Sequence, residues 1–341
     1  MLVSVTGGTG FVGAHSVAAI RRAGHQVRLL VRDRSTVERA LAPLGAGAGE
    51  VDVVDGDVLD EAAVARLVRG ADAVLHAASV YSFDSRRHAE MRATNVAGTE
   101  LVLDAARRAG VGRVVYVSSV GALFPSRRRD LDADSSVGRP REAYLASKAG
   151  AETVARQHQK AGAPVVITYP PGLVGPHDPK LGDQNTRLRN ALRGLMPIWP
   201  TGGLPIGDVR DTAALHASLL DATPAGNRHF GPGHYLTTRE YVRTLRAVTG
   251  RRLPTVYLPA RAMLPLGLLT TLVQRVWPWH IPAEYGAIYT CACATRVAER
   301  AGTFGIAARP VTETFADTVR WLQDAGHLPG RAVTTSPVHT S

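Results

Sequence analysis

Lysine and cysteine are both scarce in this chain of 341 residues. The two cysteines, Cys291 and Cys293, are too few and too closely spaced for a disulfide framework or a four-ligand zinc site. We interpret them as structural residues of a protein from a reducing compartment. Only three of the 40 basic residues are lysines, and one of these, Lys148, follows Tyr144 by four residues. This use of lysine in a chain that otherwise relies on arginine needs an explanation.

The chain also has no apolar run long enough to cross a membrane. The most apolar later stretch, 263–279, is interrupted by Pro265, Gln274 and Arg275 and falls short of the about 20 residues that a span needs. It is open to three interpretations, an amphipathic helix over the substrate site, one that touches a membrane surface, or a segment that packs into the core. Residues 2–6 resemble a strand with no cationic segment before it, so we expect no signal peptide and a cytoplasmic protein.

Acidic residues are outnumbered by basic ones, which gives a formal net charge of +11 at pH 7. Hydrophobic residues at 45% and charged residues at 20% are typical of a globular protein and argue against extensive disorder. The arginines are scattered, and the single run at 127–129 is followed by Asp130, Asp132 and Asp134, which cancel its charge locally. We therefore expect no nucleic-acid partner, and we predict no metal site.

Short β-branched runs alternate with helical stretches over the first 170 or so residues, a pattern typical of βαβ units and a parallel sheet. Strands are predicted at 2–6, 26–31, 50–57, 73–78, 113–119 and 164–170. Helices are predicted at 11–24, 60–71 and 88–110. Beyond Pro176 the composition shifts to proline, glycine and tryptophan, with shorter helical segments at 207–222, 237–250 and 312–326.

A glycine-rich turn, TGGTGFVG at residues 6–13, lies between the first strand and the first helix. In this context the glycines let the backbone turn sharply and approach a pyrophosphate, which then sits at the N-terminus of the helix. An ordinary turn is the alternative interpretation. We expect this turn to contact a dinucleotide through Gly7, Thr9, Gly10, Phe11, Val12 and Gly13.

These patterns together predict an α/β fold with a Rossmann-type doubly wound parallel sheet in residues 1–175. We expect a smaller C-terminal α/β lobe at 176–330 to form the substrate site. Part of 205–232 is predicted to return to the sheet. Residues 331–341 lack apolar periodicity and are predicted to be a flexible tail.

The end of the second strand, LLVRDRS, bears on which dinucleotide binds. An acidic residue here accepts the ribose hydroxyls of NAD, whereas an arginine suits the 2′-phosphate of NADP. Arg32 comes first, which favours NADP(H), and we expect Ser35 to contact the cofactor as well. Asp33 keeps NAD(H) open, and Arg32 could also be one more surface arginine.

Tyr144 and Lys148 are spaced so that both side chains project from one face of a helix. A phenol is a poor acid-base catalyst at neutral pH unless a nearby cation stabilises its anion. A compact ammonium can do this and can also hydrogen-bond a ribose, and a bulky guanidinium cannot be freely exchanged for it. This spacing therefore indicates catalysis, although a core tyrosine beside a surface lysine is the alternative.

Two serines, Ser118 and Ser119, end the predicted fifth strand. Parallel α/β sheets bind their ligands at this edge, so a serine there can hold a substrate oxygen. Serines at a strand end also form turns and helix caps, and these two residues alone do not decide between the interpretations.

In this order, the motifs TGGTGFVG, GDVLD, HAAS, TNVAGT, YVSSVGAL, YLASK and PPGLVGP resemble those of the extended short-chain dehydrogenase/reductases of the NAD-dependent epimerase/dehydratase superfamily. The resemblance covers about residues 1–330. It implies that the catalytic residues are Ser119, which orients the carbonyl, Tyr144, which exchanges the proton, Lys148, which supports Tyr144 and binds the nicotinamide ribose, and Asn95, which supports the site. It also implies that the cofactor contacts Asp57, Val58, Ala77, Ala78, Ser118 and Pro170.

Within this family VRDRS and YPPGLVGP look most like the dihydroflavonol 4-reductase and 3β-hydroxysteroid dehydrogenase branch. The sugar-nucleotide enzymes typically carry an arginine and an asparagine around the sixth-strand motif, where this chain has Tyr169 and Gly172. We therefore expect an NADPH-dependent reductase, or the reverse dehydrogenase, that acts on an apolar, aromatic or polycyclic ketone or secondary alcohol. An epimerase or dehydratase of a nucleotide sugar and a non-catalytic redox sensor are the alternatives. The resemblance also implies a possible homodimer.

Overall fold

The structure is a computed structural model and describes residues 1–81, 87–221, 226–274, 285–298 and 304–329. The predicted tail, 331–341, lies outside the described residues, as does the end of the apolar stretch from residue 275 onward. In the part of the chain that is described, no helix has both the length and the apolar character needed to cross a membrane.

Strands and helices alternate over the first half of the chain, as the sequence predicts. The strands are β1 Leu2–Thr6, β2 Gln26–Val31, β3 Asp52–Asp55, β4 Ala73–His76, β5 Arg113–Val117, β6 Asp130–Leu131, β7 Val165–Tyr169, β8 Gly172–Val174, β9 Ile198–Pro200, β10 Gly203–Asp208, β11 Arg228–Phe230, β12 His234–Thr237, β13 Val256–Leu258 and β14 Arg296–Val297. The α-helices are α1 Phe11–Arg22, α2 Ser35–Leu41, α3 Glu61–Val68, α4 His88–Arg92, α5 Gly98–Arg108, α6 Ala143–Lys160, α7 Asp183–Leu192, α8 Val209–Asp221, α9 Thr238–Thr249, α10 Ala260–Gln274, α11 Tyr285–Cys293 and α12 Val311–Asp324.

Seven strands form one parallel sheet in the order β11-β7-β5-β4-β1-β2-β3. The chain builds outward from β1 through β2 and β3 and then crosses to the other side of β1 to add β4. This reversal of strand order opens a crevice at the carboxyl ends of β1 and β4, where doubly wound sheets bind ligands. The predicted fold class is therefore confirmed.

Helices cover both faces of this sheet, which explains why its strands are nearly continuous apolar runs. On one face, α1 and α8 pack over the sheet through side chains such as Val17, Ile20 and Leu215. On the other face, α3, α5 and α6 contribute side chains such as Leu67 and Leu103. Although α8 comes from the C-terminal half of the sequence, it lies against α1 as part of this layer.

The remaining strands form small sheets outside the large one. The strands β12, β10 and β8 form a three-stranded sheet, and β13 pairs with β9 in parallel. Their core includes Trp199, Tyr241 and Phe315, and α7, α9 and α12 pack around it. The chain returns to the large sheet at β11, which pairs with β7. The division of the chain at residue 175 stays a prediction.

The predicted helix over 88–110 is not continuous. A π-helical turn at Ala93–Ala97 separates α4 from α5 and holds the buried residue Asn95. Such turns insert one extra residue into a helix and frequently lie at functional sites. Strands β3, β4 and β5 are also shorter than predicted, so the residues that follow them, Ala77 and Ser118 among them, lie in the loops at the carboxyl edge of the sheet.

Candidate active site

A cavity of about 610 Å³ opens at the carboxyl edge of the large sheet. The loops after β1, β2, β3, β4, β5 and β7 line its inner wall, and α7, β10 and α11 close it from the side of the C-terminal lobe. Sixteen of the eighteen predicted site residues line this cavity, namely Gly7, Thr9, Gly10, Phe11, Val12, Gly13, Arg32, Asp57, Val58, Ala77, Ala78, Ser118, Ser119, Tyr144, Lys148 and Pro170. The two that do not are Asn95 and Ser35.

The glycine-rich turn has the close contacts that a dinucleotide site needs. Gly7 has a φ of +74°, and a Cβ atom added there would lie 2.6 Å from the amide nitrogen of Ala78. A Cβ atom on Gly13 would lie 2.0 Å from the carbonyl oxygen of Gly7, so only glycine lets α1 approach β1 this closely. The helix α1 begins at Phe11, after the N-cap residue Gly10, with no side-chain cap and no acidic residue in its first turn. Its first amide groups and its dipole therefore suit the pyrophosphate of a dinucleotide.

At the far end of the cavity, Arg32 and Asp33 point to different partners. The Arg32 guanidinium lines the cavity and lies 3.7 Å from the carboxylate of Asp57. Asp33 instead accepts hydrogen bonds from the amide and the hydroxyl of Ser35, at 2.9 and 2.7 Å, and these bonds lower the pKa of its carboxyl group. Ser35 thus holds Asp33 at the start of α2. Of Arg32, Asp33 and Ser35, only Arg32 borders the cavity.

Tyr144 lies in the first turn of α6. The buried carboxylate of Glu142 caps this helix by accepting hydrogen bonds from the amides of Tyr144 and Leu145, at 2.9 and 2.8 Å. Burial raises the pKa of Tyr144, and the negative charge of Glu142 raises it further, whereas a hydrogen bond with the Ser119 side chain opposes this shift. The phenol is consequently protonated at neutral pH and hydrogen-bonded to Ser119, in the loop that follows β5. Ser119 also accepts a hydrogen bond from the amide of Gly121. It therefore forms the turn that serines at a strand end commonly make and also lines the cavity.

Lys148 lies one turn further along α6 and is 4% exposed. Its Nζ atom donates a hydrogen bond to the carbonyl oxygen of Val117 at 3.1 Å, which fixes the ammonium at the end of β5. Burial lowers its pKa to about 8, and the nearby Glu152 carboxylate opposes this shift. Glu152 is itself fully buried and accepts hydrogen bonds from the hydroxyl of Tyr169 at 2.6 Å and the Nε atom of Arg156 at 2.7 Å.

Asn95 lies outside the cavity and hydrogen-bonds two segments that line it. Its amide group donates to the carbonyl oxygen of Val80 and to the hydroxyl of Ser147, both at 2.9 Å, and its oxygen accepts from the amide of Val80 at 2.8 Å. The Ser147 hydroxyl in turn donates to the carbonyl oxygen of Tyr144 at 2.7 Å. Asn95 therefore ties the segment after β4 to α6, and a regular helix at 93–97 would not aim its side chain in the same way.

Several residues of the site carry no signal in the sequence. The ring of Tyr81 stands edge-on to that of Tyr144, with centroids 4.3 Å apart. Gln184 hydrogen-bonds Tyr81. Burial raises the pKa of Tyr81, and the negative charge of Asp183 raises it further, as it also does for Tyr144. These residues follow a strand or begin α7 without any recognisable motif, and only the fold brings them next to α6.

Comparisons with known proteins agree with this geometry. Residues 3–231 match the model of the NAD dependent epimerase/dehydratase family. Sterol demethylase protein B of Methylococcus capsulatus is 28% identical over 334 residues, covering 96% of this chain and 100% of that protein. Cinnamoyl-CoA reductase 1 of Oryza sativa subsp. japonica is 30% identical over 340 residues, covering 96% of this chain and 92% of that protein.

Among solved structures, a double mutant of the dTDP-glucose 4,6-dehydratase DesIV of Streptomyces venezuelae, with NAD bound, has a TM-score of 0.73 and 25% identity. The alignment covers 96% of this chain and 98% of that one. The chain belongs to the NAD-dependent epimerase/dehydratase family, as its motifs predict. It is an NAD(P)-dependent oxidoreductase of the extended short-chain dehydrogenase/reductase type.

Proposed function

We propose that this protein is an NADPH-dependent reductase, or the reverse dehydrogenase, that interconverts a ketone and a secondary alcohol on an apolar, aromatic or polycyclic small molecule. The observation that carries the proposal is the meeting of Tyr144 and Ser119 at the cavity wall, with the ammonium of Lys148 one helical turn away. A bound carbonyl oxygen could accept hydrogen bonds from both hydroxyl groups.

In the direction of reduction, Tyr144 gives the proton. Its phenol is protonated at neutral pH because burial and Glu142 raise its pKa, so it is ready to act as an acid. When bound, the nicotinamide supplies the hydride. The Lys148 ammonium offsets the negative charge that Tyr144 gains as it loses its proton. Ser119 holds the carbonyl oxygen. These residues therefore act mainly by orienting the substrate and by stabilising the charge on Tyr144.

Arg32 supports the preference for NADP(H). It borders the cavity beside Asp57, while the neighbouring acid, Asp33, is held by Ser35. A guanidinium at the end of the second strand suits a 2′-phosphate through charge and paired hydrogen bonds. NAD(H) remains the alternative, since a ribose hydroxyl could still reach Asp33 after a side-chain rotation.

The apolar side chains that line the cavity on the side of the C-terminal lobe favour an apolar substrate. The lining of the cavity includes the apolar side chains of Phe124, Pro171, Leu173, Leu204 and Pro205. Rings of a polycyclic substrate would bury apolar area against these side chains, at roughly 25 cal/mol per Å². The names of the two curated relatives, a sterol demethylase protein and a cinnamoyl-CoA reductase, agree with a substrate of this kind.

The second candidate is an epimerase or dehydratase of a nucleotide sugar, which would use a tightly held NAD and release no reduced cofactor. The likeness to the dTDP-glucose 4,6-dehydratase favours it. Tyr169 argues against it, because this side chain is buried and bonded to Glu152 and so cannot bind a diphosphate.

The test is NADPH and NADH oxidation by the purified protein against a panel of dihydroflavonols, ketosteroids, polycyclic quinones and simple aldehydes. We expect turnover with NADPH, and a loss of at least about a hundredfold in Tyr144→Phe, the lower end for losing a positioned acid. Cofactor binding by this variant should stay near normal. Undiminished turnover in the variant would refute the catalytic role, and NAD found in the protein as isolated, without net turnover, would favour the epimerase or dehydratase.

A further inference from the structure

Most of the exposed large apolar side chains come from two stretches of the chain, which the pairing of β9 with β13 brings together. Eight large hydrophobic side chains are exposed among the residues that the structure describes, and six of them come from two stretches, 195–198 and 256–269. These six are Leu195, Ile198, Val256, Leu258, Leu268 and Leu269, which we call the apolar face. Single exposed leucines are ordinary, whereas a group of this size marks an interaction site.

The first part of the apolar face lies on the two-stranded sheet. Ile198 pairs with Val256 in parallel register, and Trp199 pairs with Tyr257. Because side chains alternate along a strand, the second pair turns toward the core of the C-terminal lobe and the first pair faces outward. The arrangement leaves an apolar strip uncovered on the outside.

The second part is the outer side of α10, which begins two residues after β13. Among the α10 side chains that the structure describes, the exposed ones are Arg261, Ala262, Pro265, Leu268 and Leu269. They follow the helical repeat, so they form one stripe that contains a single charged residue. The opposite side is fixed by Gly267, where an added Cβ would lie 3.0 Å from the Cα atom of Tyr285 in α11. This close packing holds the apolar stripe outward.

The stretch of sequence that carries β13 and α10 has charged residues of one sign. Residues 241–283 contain six arginines and no aspartate or glutamate. Arg252 and Arg261 are exposed in the same stretch of sequence as Val256 and Leu268, and Arg193 is exposed two residues before Leu195. A symmetric contact with a second copy of this chain would place two such surfaces against each other and bring like charges together. Anionic lipid headgroups above an acyl layer match both the charge and the apolar side chains.

We propose that the apolar face docks this protein onto the surface of an anionic lipid membrane. The leucines of α10 and the outward residues of β9 and β13 enter the boundary of the acyl layer, and the neighbouring arginines bind lipid phosphates. The protein lies on the membrane and does not cross it. This inference does not depend on the proposed reaction, because the apolar face is separate from Tyr144 and the cofactor turn.

The test is co-sedimentation of the full chain with vesicles of phosphatidylcholine, with and without phosphatidylglycerol. We expect binding to the anionic vesicles that weakens when salt is raised from about 0.1 to about 1 M, because the screening length falls from about 10 to about 3 Å. The double variants Leu268→Ser/Leu269→Ser and Arg252→Gln/Arg261→Gln should each lower the vesicle partition coefficient at least about tenfold.

The matched control is Arg22→Gln/Arg39→Gln, which removes the same charge from exposed positions of α1 and α2. It should bind vesicles as the unchanged protein does, and thermal unfolding should show that each variant is folded. The arginine variant alters no core packing, so it tests the proposal even if the leucine variant unfolds. Equal losses in the control, or no preference for anionic vesicles, would overturn the proposal. Loss of a dimer in the leucine variant with vesicle binding unchanged would instead mean that copies of this chain cover the face.

Discussion

Replacing Glu152 by glutamine should change the pH range in which this enzyme works. Glu152 is buried one helical turn beyond Lys148, and its carboxylate is held by Tyr169 and Arg156. Its negative charge opposes the loss of the Lys148 proton that burial favours. Glutamine keeps the size of the side chain and removes that charge. Glu152 touches neither substrate nor cofactor in the proposed mechanism, so it acts through Lys148 as a positioning residue.

The size of the effect follows from the pKa of Lys148, which is about 8. At pH 7 roughly nine-tenths of the molecules then carry the ammonium. An opposite charge nearby shifts a pKa by about one unit or more, so its removal should lower the pKa of Lys148 to about 7. The ammonium is lost as the pH rises through this value. The alkaline side of the activity profile should therefore move down by about one pH unit, with a loss of about twofold at pH 7 and about fivefold at pH 8.

The assay is the pH profile of kcat for Glu152→Gln relative to the unchanged enzyme, which cancels the pH dependence of the reaction itself. Glu152→Asp keeps the charge and should restore most of the profile, while Glu61→Gln on the surface of α3 should have no effect. Arg156 loses an ion pair, so Glu152→Gln should also unfold at a lower temperature. Superimposable profiles from a folded variant that binds cofactor would refute the reasoning.

Three further changes have expected outcomes. Arg32→Ala should weaken NADPH binding much more than NADH binding in fluorescence titrations, and equal weakening would mean that Arg32 does not contact the 2′-phosphate. Gly13→Ala should abolish cofactor binding and lower thermal stability, because its Cβ would lie 2.0 Å from a carbonyl oxygen, while Gly49→Ala, with open space around it, should behave normally. Asn95→Ala should lower the free energy of unfolding in urea by roughly 2 kcal/mol, because the buried polar groups of Val80 lose their partner. It should also reduce kcat. An unchanged kcat in the folded variant would contradict the role of Asn95 in the site.

Features set by neighbouring residues could be predicted from the sequence alone. The alternation of strands and helices, the tight glycine turn and the one-turn spacing of Tyr144 and Lys148 all follow from backbone geometry over a few residues. This is why the sheet, the cofactor turn and the wall of the cavity lie where the motifs predict. The families that share these motifs share the same local constraints, and the comparison with known proteins confirms that membership.

The tertiary structure decided what depends on residues far apart in the chain. Whether Asp33 or Arg32 borders the cavity depends on the hydrogen bonds that Ser35 makes, and the π-helical turn around Asn95 depends on partners in two other segments. The neighbours of Tyr144 from α7 and from the loop after β4 come together only when the C-terminal lobe closes over the sheet. The sequence by itself determined the fold class, the cofactor turn and the tyrosine and lysine pair. Burial and long-range contacts, which no local pattern encodes, determined the pKa values of that pair and the face that the protein leaves exposed.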